Sequence, residues 1–347
     1  PICCDTNDPL TVAHGFGQRL MRKVPTPKPH LLKEFSEFVA EYVSRLPKAR
    51  DMSFDEWVSS INHPQARKDE LKRCYDELKG GRPTRKDCQK VKTFGKTESY
   101  PSYKMLRLIN SRSDKFKAFS GRFFKAIEEV VYNLPEFIKH VPVPERHAKI
   151  RSLKQAGMNY FATDFTAYES HFTVDVMRAC ELQLYRHCLS WSEHGEFICS
   201  VISGWNNMST RLGVSARTRA RRMSGDMCTS LGNGFTNLML AKFVAYKQGV
   251  TINGFVEGDD GIFATTGILD AKMYEDLGFT IKIEPVSDPC TASFCGNVFA
   301  ESGEIIKEPS DFIVNFNWTS SFIGAGHRLK MALLRSKALS AVYELPQ

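Results

Sequence analysis

The sequence predicts an α+β protein built on a small antiparallel sheet, and three stretches carry that expectation. Asn159-Tyr-Phe-Ala-Thr-Asp164 reads as a strand. Residues 251–265 read as a hairpin, because two apolar, β-rich runs meet at Gly258-Asp259-Asp260. Phe279-Thr-Ile-Lys-Ile283 alternates apolar and polar residues as a half-exposed strand does. Helical patterns separate these stretches, giving the order strand, helix, helix, hairpin, helix, strand.

The remaining elements follow in chain order. Residues 30–46 and 66–79 are predicted helices, the first with Leu, Phe and Val spaced three to four apart. Gly80-Gly81-Arg82-Pro83 breaks that pattern. A short β-like element is expected at Met105-Leu-Arg-Leu-Ile109 and a helix over 120–139, closed by Val141-Pro-Val-Pro-Glu145. After Asp164, the row Phe172, Val176, Cys180, Leu184, Cys188 predicts one helix. Residues 190–222 show no clear period and end in Arg217-Thr-Arg-Ala-Arg-Arg222. A helix over 229–248 is capped by Gly249. Another is expected at 268–277, and the tail from 327 to 345 reads as a basic amphipathic helix.

A chain of 347 residues buries a substantial core in one large domain or two to three lobes. It has no unbroken apolar tract of membrane-spanning length. It begins Pro1-Ile-Cys-Cys-Asp5, without a signal pattern or an initiator Met, so a fragment or processed product is expected. The ten Cys form no C-x-x-C pair, which argues against a zinc ribbon and for free thiols in a reducing compartment. The net charge of +8 is unevenly placed. Between Arg82 and Lys125 stand thirteen Lys/Arg against the acids Asp87, Glu98 and Asp114, interleaved with Phe and Tyr. Such a structured basic surface suits a polyanion: RNA, DNA or a nucleoside triphosphate.

Pairing of the predicted strands would bring Asp164, Asp259 and Asp260 to one spot. Clustered carboxylates repel one another, and a divalent cation is their natural partner. Two readings stay open on these residues alone: Asp-Gly between β-rich runs is an ordinary turn signal, and Asp164 suits a helix N-cap.

The order of motifs resembles that of RNA-dependent RNA polymerases of positive-strand RNA viruses, in wording closest to tombus-like and noda-like viruses, over roughly residues 80–300. Asp164-Phe-Thr-Ala-Tyr-Glu169 resembles the first palm motif, Ser224-Gly225-x3-Thr229-x3-Asn233 the second and Gly258-Asp259-Asp260 the third. The fourth motif corresponds to 268–283 and the fifth to Phe294-Cys295-Gly296. Lys96-Thr-Glu98 and Arg107-Leu-Ile-Asn-Ser-Arg112 resemble the fingers motif of the nucleotide channel.

The resemblance implies a right hand: fingers at 1–158 with 190–223 inserted, palm at 159–299, and a short thumb at 300–347. It implies RNA synthesis with two Mg²⁺ ions, or Mn²⁺, on Asp164, Asp259 and Asp260. Lys96, Arg107, Arg112, Glu169, Ser224, Thr229 and Asn233 would contact the nucleotide. Glu169, where the family usually has Asp, and Asn233 would sense the ribose 2′-hydroxyl. Gly225, Arg222, Phe294 and Cys295 would contact RNA, and Lys282 would protonate pyrophosphate. Blander readings stand beside these: capping for Thr229, a first-turn acid for Glu169, a solvated Lys282, a mobile basic loop around Arg222, a core Phe294.

Implied partners are RNA template and product, nucleoside triphosphates and other viral replication proteins. The implied location is the host cytoplasm, at membrane-associated replication complexes reached through a region or partner outside this chain. Two alternatives remain. A reverse transcriptase usually has an aromatic residue where Glu257 stands, and an inactive RNA-binding scaffold would have less need of all three carboxylates.

Overall fold

The computed structural model describes residues 2–307, 309–316, 318–319, 322 and 324–345. A four-stranded antiparallel sheet lies at its centre, in the order Ile281–Val286, Asn159–Phe165, Asp260–Thr265, Ile252–Glu257. Both faces of this sheet are covered. Phe161, Phe263 and Val256 join the main core, while Phe255, Ile262 and Ala264 pack into a second cluster with Ile138, Ile150, Phe294 and Phe299. Burial on both faces is why the hairpin strands read as nearly continuous apolar runs.

Helix Thr229–Gln248 runs behind the sheet and ends at Gly249 in the left-handed conformation. Apolar side chains surround it almost completely, as expected of a helix inside a core. Helix Pro29–Ser44 lays Leu31, Phe35, Val39 and Val43 in one buried stripe, with Phe35 edge-on to Phe243 at 5.3 Å. Helix Asp114–Val131 begins at the Ser113 cap and buries Phe116, Phe119, Phe123, Phe124 and Ile127.

A second four-stranded sheet has the order Leu108–Arg112, Lys90–Gly95, Trp205–Ser209, Ser215–Arg219. Lys90–Gly95 and Trp205–Ser209 pair in parallel, which is how a segment over a hundred residues downstream enters this sheet. One face is covered by helix Pro9–Arg19, whose Val12 and Phe16 meet Val91, Leu108 and Met208.

Several boundaries differ from expectation. The helix expected at 120–139 occupies Asp114–Val131, because Ser113 supplies the cap and Tyr132 closes the last turn. The β-like element at 105–109 is displaced to Leu108–Arg112, where it pairs with Lys90–Gly95. The apolar row 172–188 is not one helix. It follows a 3₁₀ turn at Tyr168–His171 and splits into helices Val174–Ala179 and Glu181–Cys188, because Cys180 leaves helical geometry. Residues 190–222 hold helix Gly195–Ile202 and the hairpin of the second sheet.

The fourth-motif helix is shorter, Ala271–Asp276, capped by Asp270. Its strand starts two residues late, at Ile281, because Phe279 donates back to the Tyr274 carbonyl and stays in the turn. The tail is helical over His327–Glu344 but not amphipathic: Leu329, Met331, Leu334, Leu339 and Val342 point in many directions and all are exposed. Within the expected 300–347 unit, positions 308, 317, 320, 321, 323, 346 and 347 lie outside the described residues. All ten cysteines are free thiols. Among the described residues no helix is long and apolar enough to cross a membrane.

Candidate active site

The central hairpin turns on Gly258 and Asp259, with Glu257 paired to Asp260 across it. Gly258 has φ 62°, a conformation that side chains with a Cβ rarely adopt, so glycine is suited to that corner. Thr163 pairs with Gly261, which sets Asp164 beside Asp260 on the adjacent strand. On its other side Asp164 pairs with Lys282, so both side chains share one face of the sheet. Asn237, four residues after Asn233 on the helix behind, donates its amide to the carbonyls of Asp259 (3.1 Å) and Asp260 (3.2 Å). That pair of bonds fixes the turn from below.

The carboxylates feel one another. Partial burial, then the charges of Asp259 and Asp164, push Asp260 up to about 6. Asp164 is raised for the same reason, first by burial and then by Asp259 and Glu284, with Lys282 and Lys104 opposing. All three acids keep solvent contact. Nearby cations are engaged with other groups: Lys96 (2.5 Å) and Arg107 (3.4 Å) with Glu98, Lys282 with Glu284, and Lys104 over the Tyr100 ring. Among the described residues no three His, Cys, Asp or Glu side chains stand close enough to enclose an ion. The acids therefore share a field and not a ready coordination shell. Exposed, mutually repelling oxygen donors nevertheless fit a hard divalent cation, and Asp164, Asp259 and Asp260 are the residues that would hold it.

Glu169 sits on the 3₁₀ turn after the Asp164 strand, and Arg19 from the N-terminal helix reaches it at 2.6 Å. Burial raises the Glu169 carboxyl, and Arg19 opposes the rise. Asn233 is on the long helix, its Oδ1 accepting from Arg222 Nε at 2.9 Å.

Other expected contact residues occupy structural positions. Arg112 is buried and forks onto Asp226, at 2.9 Å through Nη2 and 3.0 Å through Nε, so its charge is already matched. Arg222 is buried on Glu181 at 2.8 Å and does not sit in a mobile surface loop. Ser224 Oγ donates to the Leu108 carbonyl, and Gly225 N–H to that of Asn110. Thr229 Oγ1 caps the Met223 and Asp226 carbonyls. This segment is thereby stitched to the second sheet. Phe294 is a core residue of the second cluster. Cys295, at φ 55°, lies beside Asp260, and burial followed by the charges of Asp260 and Glu257 keeps its thiol protonated.

Sequence reasoning missed Arg19, Glu181, Asp226 and Asn237. Asn237 was discoverable, since it continues the Thr229, Asn233 spacing of four. The others pair with residues dozens of positions away, which no local pattern signals.

Residues 11–303 match the family described as viral RNA dependent RNA polymerase. The chain is 26% identical over 264 residues to the RNA-directed RNA polymerase of Groundnut rosette virus (strain MC1), covering 70% of this chain and 31% of that protein. It is 23% identical over 240 residues to that of Maize chlorotic mottle virus (isolate United States/Kansas/1987), covering 61% and 24%. It is 22% identical over 345 residues to that of Oat chlorotic stunt virus (isolate United Kingdom), covering 87% and 46%. The chain thus spans less than half the length of these relatives. With a family match over most of its residues, and the acids of the first and third motifs on neighbouring strands, the chain belongs to the viral RNA-dependent RNA polymerase family.

Proposed function

We propose that this chain carries out template-directed RNA synthesis, joining a 3′-hydroxyl to the α-phosphate of a nucleoside triphosphate with pyrophosphate leaving. The observation that carries the reading is the strand register that sets Asp164 beside Asp260 and the Asp259 turn, with their charges coupled. Asp164 and Asp259 are the main holders of Mg²⁺ or Mn²⁺, and Asp260 supports them. When bound, such ions stabilise the attacking and leaving oxygens.

The protein's own groups do the rest. Lys96, Lys104 and Arg107 supply positive charge for the triphosphate. Lys282, on the Asp164 face and kept protonated by Glu284, donates to the departing pyrophosphate. Glu169 and Asn233 sense the ribose 2′-hydroxyl: a carboxylate accepts a hydrogen bond from it and an amide N–H donates one to its oxygen. Residues 1–158 with the inserted 190–223 act as fingers, the rest of 159–299 as palm and 300–347 as thumb. RNA template and product, other viral replication proteins and a membrane-associated site in the host cytoplasm complete the reading.

The test is incorporation of labelled nucleotide by the purified chain on primed and unprimed RNA, with Mg²⁺, Mn²⁺ or neither. Asp259→Asn is expected to abolish synthesis while RNA binding stays near wild type. Synthesis retained in that variant would refute the metal assignment. Absence of metal-dependent synthesis in the wild-type chain would favour a scaffold role.

A further inference from the structure

Arg222 touches both of the residues assigned to the sugar. Its backbone N–H donates to the Glu169 carbonyl at 3.1 Å, and its Nε donates to Asn233 Oδ1 at 2.9 Å. Its remaining contacts hold it still. Nη2 is paired with Glu181 at 2.8 Å, Nη1 points to Cys228 Sγ at 3.6 Å, and the guanidinium lies over the Phe172 ring at 4.2 Å. Tyr185 donates its hydroxyl to the same Glu181 oxygen at 2.7 Å. The network fills its space: a Cβ on Gly232 would stand 2.3 Å from Glu181 Oε2 and 2.5 Å from Arg222 Nη2.

The chemistry of arginine makes this arrangement directional. A guanidinium only donates, so the Asn233 atom that faces it must be the carbonyl oxygen. The amide nitrogen is thereby turned the other way, as a donor. Were the amide reversed, two donors would meet in a buried site, and one would be unsatisfied. Glu169 is meanwhile held from outside by Arg19 and from inside by the backbone of Arg222. Arg222 thus constrains both residues at once, the backbone of Glu169 and the amide of Asn233, which leaves a carboxylate to accept and an amide N–H to donate.

We propose that Arg222, locked by Glu181, is a positioning residue for sugar selection: it holds the backbone at Glu169 and sets which end of the Asn233 amide faces the ribose. Arg222 touches neither substrate nor reacting atoms. The inference rests on the sugar-sensing reading of Glu169 and Asn233, and the test separates the two.

The measurement is the ratio of kcat/KM for a ribonucleotide to that for its 2′-deoxy counterpart. Arg222→Lys, Asn233→Ala and the double variant are compared with wild type. Lysine preserves charge opposite Glu181 but cannot span Glu181 and Asn233 with one nitrogen. Arg222→Lys and Asn233→Ala are each expected to lower the ratio about tenfold, the scale of one lost discriminating hydrogen bond. The double variant should lose no more than either single one, because both act through one amide. If Asn233→Ala lowers the ratio but Arg222→Lys lowers kcat equally for both sugars, Arg222 is merely structural and the proposal fails alone. If Asn233→Ala leaves the ratio unchanged, the sugar-sensing reading fails and takes this one with it. Glu181→Gln, which keeps the acceptor but removes the lock's charge, gives the same readout should Arg222→Lys not fold; a wild-type ratio there overturns the proposal.

Discussion

Replacing Arg112 with Met separates two roles that sequence could not distinguish. A cation that binds triphosphate and a cation that holds two parts of a fold look alike in sequence. The Arg112 side chain is fully buried, and that of Asp226 nearly so. The guanidinium makes three bonds of 3.2 Å or less to the carboxylate, a fourth at 2.6 Å to the Cys88 carbonyl, and lies over the Phe116 ring. Arg112→Met keeps much of the volume but leaves the Asp226 charge and the Cys88 carbonyl without this partner. Breaking one side of a buried ion pair costs about 3–5 kcal/mol. For a chain of this size that corresponds to a fall in Tm of about 4–7 °C. Replacing both partners, as in Arg112→Met with Asp226→Leu, should recover most of the loss, because no buried charge is left alone. The assay is urea and thermal unfolding of the three variants, alongside KM for the nucleotide in any variant that stays folded. A single variant with wild-type stability and a raised KM would refute the reasoning and return Arg112 to the nucleotide.

Three further outcomes are expected. Asp260 has its carboxyl raised to about 6 in the folded chain, so the native state binds the extra proton; its contribution to stability is present below the ordinary carboxylate range and is lost as pH rises through about 6. Added Mg²⁺ should therefore raise Tm more at pH 7.5 than at pH 5, an increment that should vanish in Asp259→Asn/Asp260→Asn; equal increments at both pH values would count against the shared field. Asn237→Ala, which removes both amide bonds to the 259–260 turn, should lower the incorporation rate about tenfold or more with unfolding changed by only about 1 kcal/mol; an unchanged rate would show that the turn holds itself. RNA affinity should fall steeply between 50 and 200 mM salt, with a log–log slope of several, and a flat dependence would remove the 82–125 stretch from the RNA path.

Helix Thr229–Gln248 and the hairpin around Asp259 were legible in the sequence because their signals are local: a capping glycine, a turn glycine, apolar runs of the right length. The carboxylates were legible because charge of one sign is repeated where water alone would not favour it. The second sheet was not, since its parallel pair joins residues 90–92 to 207–209, and no periodicity within either segment announces the other. The same limit explains the arginines. Arg112 and Arg222 count as two positive charges in a basic region, and only the folded chain delivers Asp226 and Glu181 to them.

What the sequence determined by itself was the identity of the chemical groups and the short-range geometry that presents them: two acids at a turn, a third at a strand end, an amide on a helix. What the tertiary structure decided was which charges are exposed. Desolvation forces a buried guanidinium to find a carboxylate wherever the chain can bring one. That choice, made over distances no local pattern encodes, separates the solvent-facing cations, such as Lys104 and Lys282, from those buried within the fold, Arg112 and Arg222.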